Sequence, residues 1–194
     1  MSLNPTEVND LIRKRRSTFP KQFEPGKKIP DDIVRQVLEN AIWAPTHAQT
    51  EPWHFVVFTD QGLKRLAEFQ SELYKSETPD FKADKYQKLK EQPLVASHII
   101  AICMKRSPIN RVPEVEEIAA VACAVENIYL SLNAYGIAGY WTTGGVTYFE
   151  SAKAFFGLGP ADRLLGFFYL GYAAVPSPAG KRIPLSEKSV WINE

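Results

Sequence analysis

Arg15, Arg16 and Ser17 stand where a helix gives way to a loop. Two planar guanidinium forks followed by a hydroxyl suit a phosphate monoester, because each fork offers paired N–H donors to paired oxygens. The same run, with Arg13 and Lys14 before it, also answers the negative end of a helix dipole, and the residues alone leave both readings open. A second cluster lies between two prolines: Pro45, Thr46, His47, Ala48, Gln49, Thr50, Glu51 and Pro52, followed by Trp53. It holds several hydrogen-bonding side chains in a short, stiffened loop. His47 is a candidate base or metal ligand in type, but His54 and His98 are the only other histidines and no ligand spacing links them, so no metal is expected. A third segment, from Gly136 through Gly139, Tyr140, Trp141, Thr142 and Thr143 to Gly144 and Gly145, has glycines where backbone could approach a flat ligand. A strand end followed by a tight turn is the plainer reading. The spacing is not that of a dinucleotide fingerprint, and no ribose-reading acid follows at the required distance.

The elements that must position these residues belong to a globular chain. Lys and Arg number 23 against 22 Asp and Glu, so there is no general field for nucleic acid or an acidic membrane, and any anion site must be local. The most apolar segment, Leu94 to Met104, is too short to cross a bilayer, and the first residues carry no apolar leader, which makes the cytoplasm the expected compartment. Cys103 and Cys123 lie in apolar settings without CxxC spacing and are expected to be buried thiols.

Asn4 and Pro5 form an N-cap and first-turn pair for a helix with Val8, Leu11 and Ile12 as its apolar stripe. Pro30 opens a second helix over Ile33, Val34, Val37, Leu38, Ala41 and Ile42, which Pro45 stops. Trp53 to Thr59 reads as a strand, and Asp60 as the cap of a helix running through Leu66 and Leu73. Residues 75–93 are rich in charge, with Phe81, Tyr86 and Leu89 as sparse apolar positions, and read equally as a mobile cover over a pocket or as a solvated helix. Val95 to Met104 has the pattern of a central strand covered on both faces. Glu114 to Tyr135 reads as a long helix, in which Ala119, Ala120, Ala122 and Ala124 offer a small face for close packing. Gly136 caps it, Ile137 to Thr143 is a strand, Thr147 and Glu150 fit a capping box, and Leu164 to Ala173 is another buried strand. The tail, 175–194, with Pro176, Pro178 and Pro184, is too extended to pack on itself and is expected to lie along a partner subunit.

Taken in order, these segments resemble the nitroreductase superfamily over essentially the whole chain. Arg15, Arg16 and Ser17 match its opening Arg-Arg-Ser; Ala44 and Pro45 through Pro52, Trp53 and Phe55 match its Ala-Pro-Ser and Gln-Pro-Trp-x-Phe block. Gly136, Gly139, Trp141 and Gly144 match its late glycine and tryptophan strand, and Lys181, Arg182, Pro184, Leu185, Val190 and Trp191 its closing tail. His47 makes the short nitroreductases with a histidine in the first loop the nearest likeness.

The resemblance implies one α+β domain over 1–194 with the nitroreductase fold: a central, mostly antiparallel sheet flanked by helices, a long central helix at a homodimer interface, and an exchanged tail. It implies FMN as cofactor, with Arg15, Arg16 and Ser17 at its phosphate and ribityl end and Lys181 or Arg182 adding charge. His47 and Gln49 would reach the flavin from the other subunit, while Trp141, Thr142, Thr143 and Gly144 lie along the isoalloxazine. Phe81 and Tyr86 would line the substrate pocket under the 75–93 cover. The chemistry would belong to flavin N5, with no protein side chain as catalyst: NAD(P)H delivers two electrons, leaves, and is replaced by a small electron-poor acceptor such as a nitroaromatic or quinone, in ping-pong order. A flavin carrier or sensor without turnover is the alternative. Three departures bear on flavin affinity: Phe19 where the family usually has another arginine, Gln49 where it often has Asn, and Glu51 where it often has Gln.

Overall fold

The computed structural model describes residues 4–108 and 111–193. Its centre is an antiparallel sheet of four strands, β1 (Trp53–Thr59), β2 (His98–Met104), β3 (Ala138–Thr142) and β4 (Arg163–Gly171), in the order β1-β2-β4-β3. Every residue of β2 is buried, as its unbroken apolar run requires of a strand covered on both faces. Alternation then divides the interior in two. Ile100, Ile102, Met104, Phe168 and Leu170 face one cluster, and Ile99, Ala101, Cys103, Phe167 and Tyr169 the other.

Over the first face pack α2 (Asp31–Ala41) and α5 (Glu114–Ala134); over the second pack α3 (Gln61–Glu77) and the 3-10 turn Glu150–Phe156. α5 buries Val121, Ala124, Val125, Ile128 and Leu132, spaced three and four apart along one stripe. The alanines do not form one small face. Ala120 and Ala124 are buried, whereas Ala119 and Ala122 are exposed, because residues three positions apart share a side of a helix and residues two apart do not. The same geometry corrects the expectation for the cysteines: Cys103 is buried in β2, where desolvation pushes its thiol up to about 12, but Cys123 is exposed beside Ala119 and Ala122.

Other boundaries also differ. In α1 (Pro5–Lys14) the Asn4 side chain accepts the Thr6 N–H at 3.0 Å as predicted, yet no residue of the helix is buried and Ile12 is exposed. α2 ends at Ala41, four residues before Pro45. Asp60 does not cap α3; it has a φ of 46° and its carboxylate meets Lys28 at 3.2 Å. Thr147 caps no helix either, since its hydroxyl donates to the Gly144 carbonyl at 2.8 Å. Residues 75–93 contain α4 (Ala83–Glu91), a helix with no buried residue, folded back on α3. No helix among the described residues is long and apolar enough to cross a membrane.

The sheet bends where β2 slips register between Ile102 and Cys103, opposite Gly166. Gly166 has a φ of 119°, and a Cβ there would lie 2.3 Å from the Thr142 carbonyl oxygen of β3. Only glycine lets β3 and β4 approach at this point. Gly166→Ala is therefore expected to cost roughly 3 kcal/mol, backbone strain added to overpacking. Gly26→Ala, at a φ of 73° with nothing within 4 Å, should cost only about 1 kcal/mol. Denaturant unfolding of the two variants checks the contrast.

Candidate functional site

After α1 the chain runs along the free edge of β3. Ser17 bridges Gly139 in parallel and the Thr18 N–H donates to the Gly139 carbonyl at 3.0 Å, so the Arg-Arg-Ser segment is held as a stub of extra strand. Gly139 must lack a side chain, because a Cβ there would sit 2.5 Å from the Phe168 ring. From beneath, Tyr129 of α5 reaches the same edge. Its hydroxyl accepts the Trp141 N–H at 2.9 Å and lies 3.2 Å from Ser17 Oγ. The Arg15 guanidinium lies over the Tyr129 ring, 4.9 Å from its centroid, with Nη1 3.5 Å from Ser17 Oγ and Nε 3.9 Å from Glu126.

Arg16 turns the other way. It donates to the carbonyls of Pro178 at 3.1 Å, Arg13 at 2.6 Å and Arg15 at 2.7 Å. With Lys14, Thr18, Asn133 and Ser177 it lines a cavity of about 490 Å³. The Thr18 and Ser177 hydroxyls are 3.1 Å apart, and a Cβ on Gly180 would come within 2.7 Å of the Arg16 guanidinium carbon. The structure thus brings the start of the chain against the tail just before Lys181 and Arg182, whose side chains are exposed. Arg182 Nη1 donates to the Lys181 carbonyl at 2.8 Å.

At the far end of β3 the Trp141 indole N–H donates to the Leu165 carbonyl at 3.0 Å, which locks the ring under the bend at Gly166. Thr143 and Gly144 are exposed beyond it. Gly145, with a φ of 70°, is wedged between α3 and α4: a Cβ there would lie 2.9 Å from Gln70 Oε1 and 3.1 Å from the Leu89 side chain.

The His47 loop is held in unfavourable backbone conformations. Ala48, Gln49 and Glu51 have φ values of 50°, 53° and 42°, a concentration of left-handed non-glycine residues of the kind found at ligand sites. The Thr46 hydroxyl supports it, accepting the Glu51 N–H at 3.3 Å and meeting the Thr50 hydroxyl at 3.0 Å. His47 Nδ1 donates to Glu116 Oε2 of α5 at 2.5 Å; Nε2 has no hydrogen bond among the described residues, and Gln49 is exposed beside it. Among the described residues no group of His, Cys, Asp and Glu could hold a metal ion.

The motif residues therefore form two clusters that do not lie side by side. Glu116 and Tyr129 are thirteen positions apart on α5, roughly 20 Å along its axis. Phe81 and Tyr86 belong to neither cluster. Their rings lie 5.9 Å apart and Phe81 is 5.9 Å from Tyr74, and the Tyr86 hydroxyl donates to Glu72 at 2.6 Å, so they close the α3–α4 hairpin. The opposite side of α4, through Asp84, Gln87, Lys88 and Glu91, faces Phe19 and Lys21 across a cavity of about 670 Å³. Phe19 itself packs at 4.7 Å on Tyr140, the rings tilted by 41°, and is half exposed.

Sequence reasoning missed Tyr129 and Glu116. Tyr129 reads as one more member of the apolar stripe of α5; the available signal is that a buried tyrosine needs a partner for its hydroxyl. Glu116 is 69 positions from His47 and no local pattern joins them.

The sequence profile of the Nitroreductase family matches residues 12–172. A Bacillus subtilis relative, named "Putative NAD(P)H nitroreductase YfhC", is 26% identical over 182 residues, covering 93% of this chain and 92% of its own. The crystal structure of a nitroreductase-like family protein from Bacillus cereus superposes with a TM-score of 0.85 at 25% identity over 100% of both chains. The FMN-dependent nitroreductase NfnB from Mycobacterium smegmatis, solved in complex with NADPH, shares the fold with a TM-score of 0.74 at 21% identity, over 97% of this chain and 99% of its own. With four-fifths of its length inside the family profile and the fold in agreement, the chain belongs to the nitroreductase family and is an oxidoreductase.

Proposed function

We propose that this protein is an FMN-dependent oxidoreductase that takes two electrons from NAD(P)H and delivers them to a small electron-poor acceptor, a nitroaromatic or a quinone, in ping-pong order. The observation that carries the reading is the donor set on the edge of β3: the Arg15 guanidinium and the Ser17 hydroxyl, fixed together by Tyr129, with the exposed residues Thr143 and Gly144 at the other end of the strand. Its chemistry fits a phosphorylated planar cofactor, with charge-assisted donors at one end and an exposed glycine turn at the other. Arg16 and the nearby Lys181 and Arg182 add positive charge where the two chain ends meet. Bound FMN would supply the two-electron step, accepting hydride equivalents from the nicotinamide and returning them to the acceptor. The protein's own work is to bind, orient and limit access, with Trp141 and Thr142 along the ring system and the 75–93 hairpin as cover.

On this reading the site is built between two subunits, a view supported by α5 holding the His47 loop and the Arg15 cluster roughly 20 Å apart. A twofold partner with an antiparallel α5 crossing at the midpoint between Glu116 and Tyr129 brings His47 and Gln49 of one chain to Arg15 and Ser17 of the other. That midpoint is Ala122 and Cys123, exposed and small enough for close helix approach. The tail has the character of an exchanged arm: Val190 is 89% and Trp191 80% exposed in the isolated subunit. The functional unit is accordingly one FMN-binding domain working as a cytoplasmic homodimer.

The purified protein is expected to be yellow, to release FMN on acid treatment, and to oxidise NAD(P)H only when a quinone or nitroaromatic is present. A bound flavin without acceptor-dependent turnover would make it a carrier instead. A short thiol-specific cross-linker should join two chains through Cys123, and Cys123→Ser should abolish the product on denaturing gels. Arg15→Ala should weaken FMN binding by about 1.5 to 3 kcal/mol, the range for a lost charge-assisted contact. Co-expressing Arg15→Ala with His47→Ala should restore one intact site per mixed dimer, so flavin retention above that of either parent separates a site built between subunits from one built within a single chain.

A further inference from the structure

We infer that Tyr129 is the positioning residue of the phosphate end of the flavin site, holding Ser17 and Arg15 in the arrangement that selects a phosphorylated flavin; this rests on the function proposed above. Tyr129 lies on a helix whose other buried positions from Ala120 to Leu132 are aliphatic, is only 9% exposed, and packs its ring edge-on against Phe168 at 4.5 Å. Its hydroxyl is placed by two constraints. The Trp141 N–H donates into one lone pair at 2.9 Å, which ties the phenol to β3 and to the strand that carries Thr142. The phenol's own proton can then be donated to Ser17 Oγ, 3.2 Å away, which is the direction the inference requires. A serine oxygen that accepts from tyrosine keeps its own hydrogen for an outside acceptor, and a phosphate oxygen is an acceptor with no hydrogen to give. The face of the same ring carries the Arg15 guanidinium at 4.9 Å, so a single side chain sets both donors of the anion site through two separable features, hydroxyl and ring.

Tyr129→Phe separates them: it keeps the ring beneath Arg15 and removes the hydroxyl. The experiment is titration of FMN and of riboflavin into the flavin-free full-length protein, read by quenching of flavin fluorescence. Wild type should prefer FMN. Tyr129→Phe should raise the FMN Kd about tenfold and the riboflavin Kd less than twofold, because riboflavin has no phosphate for Ser17 and Arg15 to hold. Ser17→Ala should produce the same FMN-selective loss, and the double variant should be little worse than either single one. A merely structural tyrosine would weaken both ligands alike, and that result, or an unchanged ratio of the two Kd values, overturns the inference. Should Tyr129→Phe not fold, Ser17→Ala still decides: an unaltered FMN-to-riboflavin preference in it overturns the inference, and a narrowed one supports it. If wild type binds neither flavin, the proposed function fails first, and the two failures are thereby told apart.

Discussion

The burial of one side of α5 against the sheet constrains the rest of this structure. Val121, Val125, Ile128 and Leu132 seat the helix on Ile100, Ile102, Phe168 and Leu170, and once that face is committed the remaining sides of the helix decide what surrounds them. At its first turns Glu116 fixes the His47 loop; toward its last turns Tyr129 fixes Arg15, Ser17 and the edge of β3. Between them run exposed small residues. A rigid rod of this length makes the distance between the two clusters a fixed property of the subunit, and no loop motion removes it. In the proposed dimer, completion by a second copy would follow from the rod rather than from any flexible arm.

The edge of β3 shows how a weak sheet boundary becomes useful. An edge strand carries unpaired backbone donors and acceptors that invite unwanted pairing. Here Ser17 and Thr18 occupy part of that edge from the amino-terminal side, and residues 177–180 close over Arg16 from the other end of the chain. The divergence of Arg15 and Arg16 follows. Neighbouring residues in an extended segment point to opposite sides, so one guanidinium lies over Tyr129 while the other is drawn into the carbonyls of Pro178 and its own helix end. The two arginines of the motif thus do different things. Arg15 presents charge on the β3 edge, and Arg16 anchors the tail whose next residues are Lys181 and Arg182.

Much of the fold was legible because its core obeys simple periods. The Trp53–Thr59 strand is read to the residue, β2 is recognisable from its unbroken apolar run, and α5 from a stripe repeating every three or four positions. What was not legible depends on direction and distance. Spacing alone did not reveal that Cys123 and Ala122 face outward while Ala124 faces inward, since all four alanines and both cysteines carry similar hydropathy. Asp60 and Thr147 have the side chains of caps and fail as caps, because Lys28 and the Gly144 carbonyl compete for them from elsewhere in the fold. In the site, motif residues were visible and their supports were not: Glu116 beneath His47 and Tyr129 beneath Ser17 are brought by tertiary packing, and no local spacing encodes either pair.

This asymmetry has a chemical reason. A protein that performs catalysis with its own side chains must carry a nucleophile and a base at fixed separation, and such sets leave a residue-type signature. One that lends its site to a redox cofactor needs donors, a flat approach and excluded water, roles that ordinary serines, arginines and glycines fill. Their identity is then less informative than the groups holding them. Selectivity for the second substrate would reside where the first loop after Ser17 faces α4, across the cavity between Phe19 and Lys21 on one side and Asp84, Gln87, Lys88 and Glu91 on the other. Phe19 stands there, its ring tilted against Tyr140. An aromatic ring at that position would offer a planar acceptor a surface, while Lys21 and Lys88 keep positive charge in the same cavity.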